Sequence, residues 1–128
     1  MNNEPLVEFV SKTDFKNIER FADRLFAALN IDVAFTKHFK DRVNDDRNHP
    51  EIDTDELIDF FKGAFQKHGK QIAARGDGLD AILTDVQRDL NLPFVLKWDS
   101  RNNELDLVAK TIMRTKRFMS HGQRIMRF

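Results

Sequence analysis

The chain has 128 residues, 41% of them hydrophobic, with twelve Phe, one Trp, no Tyr and no Cys. That length can bury a core without staples, and the lack of cysteine excludes disulfides, thiolate zinc centres and cysteine nucleophiles. The formal charge is zero but unevenly placed: Lys110 to Phe128 hold six Lys or Arg and no acid, leaving 15 basic against 21 acidic groups elsewhere. A cationic end of this kind suits a polyanion or the protein's own acidic helices, and composition leaves both open.

From the N-terminus, Met1 to Val10 lack a cationic flank followed by a long apolar run, and no stretch reaches the roughly eighteen apolar residues of a membrane span. Secretion and membrane insertion are therefore not expected. Thr13 or Asp14 is placed to cap a helix in which Phe15, Ile18, Phe21, Ala22, Leu25, Phe26 and Leu29 recur at spacings of three and four. Asn30, Ile31 and Val33 read as an irregular link. Thr36 then caps a second helix to about Asn44, with Phe35, Phe39 and Val43 as its apolar stripe.

The polar segment from Asn44 to Pro50 reads as a loop. Asp53 and Glu56 beyond it have the spacing of a capping box, and Ile52 and Leu57 that of a hydrophobic staple, so a third helix starts there. Gly69 is expected to bend or end it. After the break at Gly76-Asp77-Gly78, the positions Leu79, Ile82, Leu83, Val86 and Leu90 fit a helix, while Ala81 to Val86 also fits a strand. Pro93 to Trp98 and Glu104 to Met113 flank a polar link and predict a β-hairpin, with Leu105, Leu107 and Ala109 on one face and Val108, Lys110 and Ile112 on the other. The order of elements predicts one α+β domain over residues 1–128: three or more N-terminal helices on a small antiparallel sheet from the C-terminal third. Residues 1–12 and 118–128 are expected to be loosely ordered, unless Arg124 to Phe128 forms a last strand.

Several groups have the chemistry for a site. His38 and Arg42 lie four apart and share a helix face, which sets an imidazole beside a permanent cation. The plain alternative is a surface histidine with Arg42 paired to Asp41, Asp45 or Asp46. Lys110, Thr111 and Arg114 close the hairpin, and Arg47 and His49 stand in the polar loop. The histidines His38, His49, His68 and His121 show no ligand spacing, so neither a metal nor another cofactor is expected.

The run Thr36-Lys37-His38-Phe39-Lys40-Asp41-Arg42-Val43-Asn44-Asp45-Asp46-Arg47, with the capped helix after it and Leu105 to Thr111 further on, resembles a known group. It is similar to the compact barnase/EndoU/colicin/RelE-like ribonuclease domains, in particular small phage and toxin members with a His-Phe-x-x-Arg helix and a Val-x-x-Thr strand end. The likeness spans roughly Phe35 to Thr115. It implies a metal-independent ribonuclease in which His38 is the acid or base and Arg42 braces it or binds phosphate. Lys110 and Thr111 would stand near the scissile group and Arg47 would contact the backbone; Arg114, Lys116 and Arg117, from the cationic C-terminal end, are the further candidates for binding nucleic acid. The reaction would be attack of a ribose 2′-hydroxyl on the adjacent phosphate, with cations stabilising the phosphorane.

The expected function is accordingly a small phage-type domain that cleaves or binds RNA, in the host-cell cytoplasm or the virion. Two alternatives come from other classes: a non-enzymatic phage protein that binds and inhibits a host protein, and a virion-packaged structural module pairing through its Phe-rich helices.

Overall fold

A computed structural model describes residues 9–128; the expectation of loose order for the first residues lies outside them as far as residue 8. Helix α1, Lys12–Ala27, starts from Ser11 rather than from Thr13 or Asp14. Ser11 accepts the Asp14 N–H at 3.0 Å and Asp14 accepts the Ser11 N–H at 3.0 Å, so Asp14 is the inner partner of a capping box. Phe15, Ile18, Ala22 and Phe26 form the buried stripe. The segment expected as an irregular link is strand β1, Ile31–Phe35. Asn30 turns the chain with φ 58°, a conformation Asn tolerates, and Ile31 and Val33 then point into the core.

Helix α2, Lys37–Val43, is capped by Thr36 and buries Phe39 and Val43, as its spacing predicts. Helix α3, Thr54–Arg75, has the expected Asp53–Glu56 capping box, with both Ile52 and Leu57 fully buried. Gly69 does not end it. A Cβ there would lie 3.1 Å from the Phe65 ring and 3.2 Å from Leu29, so glycine is what lets α3 pass close to the end of α1.

The strands that follow are β2 (Asp80–Asp85), β3 (Leu90–Asp99), β4 (Glu104–Ala109), β5 (Met113–Arg114) and β6 (Arg124–Arg127). Their order is β1-β4-β3-β2-β6, with β5 beside the start of β3. Pairs β2–β3 and β3–β4 are antiparallel, whereas β1–β4 and β2–β6 are parallel. The molecule is therefore α+β, but the sheet is mixed rather than antiparallel, and β1 comes from between the first two helices. Parallel partners are distant in sequence, so neither end of such a pair carries a local turn signal.

Leu90, Leu92, Phe94, Leu96, Leu107, Ala109, Ala81 and Leu83 join the helices in one core. Val108 and Lys110 take the opposite face, as alternation predicts. Ile112 does not follow them: it is buried in the core, because β4 ends at Ala109 and the link to β5 resets the alternation. The last residues are tied down. The Phe128 N–H donates to Thr84 O at 2.9 Å, the Arg127 carbonyl lies 2.6 Å from His68 Nε2, and the Phe128 ring packs edge-on to Phe60. No helix among the described residues is long and apolar enough to cross a membrane.

Candidate functional site

The loop between α2 and α3 is built on two asparagines. Asn44 exchanges hydrogen bonds with the Val10 backbone at 3.0 and 2.9 Å. Asn48, buried, donates to Arg42 O at 2.7 Å and accepts the Arg114 N–H at 3.0 Å, so the loop is sewn to β5. Arg114 completes the seam with its side chain. Nε donates to Pro50 O at 2.8 Å, one terminal nitrogen to Arg88 O at 2.8 Å, and the other to Glu51 O at 3.1 Å and to Glu56 Oε1 at 2.7 Å. Four of the five N–H groups of a guanidinium are thereby used. The residue expected on nucleic acid is, first of all, a clamp between loop, helix and sheet.

The turn between β2 and β3 forms the opposite wall. Asp85, buried, accepts the backbone N–H groups of Gln87 and Arg88 at 3.1 and 3.2 Å and the Arg88 side chain at 3.0 Å. Arg88 also reaches Asp59 at 3.1 Å, and its bond to Asp85 raises its pKa above the usual arginine value. The Thr115 N–H donates to Asp89 O at 2.9 Å, which brings the chain after β5 alongside this turn. Between the walls lies a cleft of about 420 Å³ lined by His49, Pro50, Glu56, Gln87, Arg88, Asp89, Arg114, Thr115 and Lys116. His49 and Lys116 are exposed, so an imidazole, a carboxyl group, guanidinium edges, a hydroxyl and an ammonium line one concavity.

The other expected residues are distributed differently. Thr36 Oγ1 lies 3.1 Å from both Ala109 O and Lys110 O, which ties the start of α2 to the end of β4. His38 is exposed in the first turn of α2, and Arg42 is half-buried one turn on. No hydrogen bond or ion pair among the described residues joins His38 to Arg42, Lys110 or Thr111. The Lys110 ammonium instead pairs with Asp80 at 3.1 Å. Arg47 forms a two-pronged pair with Asp45, at 3.0 and 2.9 Å, and hydrogen bonding from Arg47 holds the Asp45 carboxyl below its usual range. Thr111 is half-buried in the link after β4, while Lys116 and Arg117 are exposed.

A third group stands at the other side of the sheet. Asp32 of β1 and Glu104 and Asp106 of β4 each bring a carboxylate oxygen within 4.8 Å of the others, the one set among the described residues with metal-ligand proximity. Burial first, and then neighbouring acids including Asp32, push Glu104 and Asp106 up. Sequence spacing does not reveal this trio, because parallel pairing of β1 with β4 creates it. Glu56 and Arg88 were missed as cleft residues for a similar reason: the capping box explains Glu56 locally, and only β5 brings the cleft walls together. Comparison with family models, with curated proteins and with solved structures gives no match.

Proposed function

We propose that this chain is a small domain that binds RNA and cleaves it without a metal, working in the cleft between the α2–α3 loop and the β2–β3 turn. The observation that carries the reading is the convergence of His49, Glu56, Arg88, Arg114, Thr115 and Lys116 on one concave surface. Transesterification at an RNA phosphate needs a base for the 2′-hydroxyl, an acid for the leaving 5′-oxygen and cations for the phosphorane. The Glu56 carboxylate and the His49 imidazole supply the base and the acid. Lys116 and the N–H of Arg114 outside its four bonds supply positive charge. The reaction class is the one the ribonuclease resemblance implies, moved from the His38–Lys110 end to the Arg114 end.

Cleavage of a single-stranded RNA oligomer in the presence of a chelator tests the proposal. His49 and Lys116 are exposed, so their replacement leaves the fold intact. His49→Ala is expected to slow cleavage by about 100-fold or more, the usual worth of a general acid. Lys116→Ala weakens binding and lowers its salt dependence, and His38→Ala leaves cleavage unchanged. Parent protein that neither binds nor cleaves RNA at low salt rejects the reading.

A second reading, a non-enzymatic phage protein that binds a host protein, is favoured by the acidic corner at Asp32, Glu104 and Asp106. Its check is retention of one host protein on immobilised chain, lost in an Asp32→Asn, Asp106→Asn double variant.

A further inference from the structure

We infer that the outer edge of strand β6 is a docking site for an acidic peptide segment, which joins the sheet as an extended strand beside Ile125 and Arg127. The sheet ends in β1 on one side and in β6 on the other, and the two edges are treated differently. At β1 the Val33 N–H donates to Asp23 Oδ1 at 2.6 Å and the Phe35 N–H to Glu19 Oε2 at 2.8 Å. Two acids of α1, four apart and so on one helix face, occupy that edge. An edge left uncovered offers its backbone groups to another chain.

Strand β6 pairs with β2 in parallel, and Phe128 turns both its backbone groups to that neighbour. Its N–H donates to Thr84 O at 2.9 Å and its carbonyl accepts the Val86 N–H at 3.0 Å. Bonding residues alternate along such a ladder, so Met126 bonds inward with Phe128, and the backbone groups of Ile125 and Arg127 point outward. Among the described residues one of these outward groups has a partner: the Arg127 carbonyl accepts from His68 Nε2 of α3 at 2.6 Å. A peptide N–H can take the place of that imidazole. The Ile125 N–H and carbonyl and the Arg127 N–H complete a short ladder of donors and acceptors.

Charge selects the occupant. Arg124 and Arg127 are both exposed, and the alternation of a strand sets them on opposite faces of β6. Gly63 of α3 lies against the Phe128 ring, and the exposed Lys67, four residues on, shares its stripe and brings a further cation to this edge. No acid occurs from Lys110 to Phe128. A second copy of the chain is a poor partner, because two β6 strands side by side would put like charges on one short ladder. A segment with carboxylates on both of its faces meets these cations, while its backbone meets the outward groups. None of these residues lines the cleft between the α2–α3 loop and the β2–β3 turn, so the inference stands apart from RNA cleavage.

The test is titration of the whole chain with a short synthetic peptide of the repeat glutamate-glutamate-valine-valine, followed by amide-resolved NMR at low salt. The Ile125 and Arg127 amide signals are expected to shift and their solvent exchange to slow by about tenfold or more, while Val33 and Phe35 stay unchanged. The same peptide N-methylated throughout keeps its charge and loses its donors, and should bind about tenfold more weakly or worse. An Arg124→Glu, Arg127→Glu double variant should also lose about tenfold in affinity. Equal binding of the N-methylated peptide, equal binding of a peptide with lysine in place of glutamate, or no shift at Ile125 and Arg127 overturns the inference. It is overturned too if those shifts come from a single-stranded RNA oligomer and not from the peptide, or from raising the protein concentration alone, which assign the edge to nucleic acid or to a second copy. Should the double variant fail to fold, the parent with the N-methylated and lysine peptides decides the matter.

Discussion

The two ends of the sheet handle buried charge in opposite ways. At β5, Arg114 is 8% exposed in its side chain and has Glu56 as counter-ion, with three backbone carbonyls beside it. At β1, Asp32 meets Glu104 and Asp106 of β4 with no cation within 4.0 Å among the described residues. Both clusters bring together elements distant in sequence. The first sets opposite charges together; the second crowds like charges, and burial followed by neighbouring acids pushes Glu104 and Asp106 up.

Substitutions separate the two kinds of seam. The largest effect is expected at the cationic one: Arg114→Ala strands the Glu56 carboxylate and three carbonyls, and should cost about 3–5 kcal/mol in urea unfolding. Arg114→Lys should recover little of it, since one ammonium cannot reach acceptors on both sides of the clamp. Asn48→Ala, which leaves Arg42 O and the Arg114 N–H unmatched, should cost about 2 kcal/mol by the same measurement.

At the acidic seam the sign depends on pH. Asp23 has its folded pKa raised above the ordinary carboxylate value of 3.8, so the folded state holds the extra proton between there and about 7. Its contribution is thus fully present below the ordinary value and lost as pH rises through about 7. Asp23→Asn should therefore raise stability at about pH 8, by on the order of 1 kcal/mol after allowance for solvent screening. The parent-minus-variant difference should shrink as the pH falls towards 5, which urea midpoints at a series of pH values will show. The smallest effect belongs to the exposed Arg47–Asp45 pair, where Arg47→Ala should leave the midpoint unchanged.

Much of the local structure was legible in advance. The Asp53–Glu56 box, the Ile52–Leu57 staple, the Thr36 cap and the Phe39–Val43 stripe are written within a few residues each, and each appears where its spacing puts it. Reading stopped where a residue's purpose lies across the fold. Gly69 reads as a helix breaker until Leu29 is seen against it, and Ile31 and Val33 read as a link until β4 pairs with them. The candidate residues divide in the same way. His38 and Arg42 were found because they are neighbours on a helix, whereas Glu56 and Arg88 become neighbours of His49 only through Arg114.

By itself the sequence determined the caps, the apolar stripes, the central hairpin and the α+β class, because capping, periodicity and turn chemistry act over a few residues. Tertiary structure alone decided the two parallel pairings, the use of Arg114 as a clamp and the meeting of Asp32 with Glu104 and Asp106. Those outcomes depend on which distant backbones come to lie side by side, and the state of a charge is set by what then stands next to it.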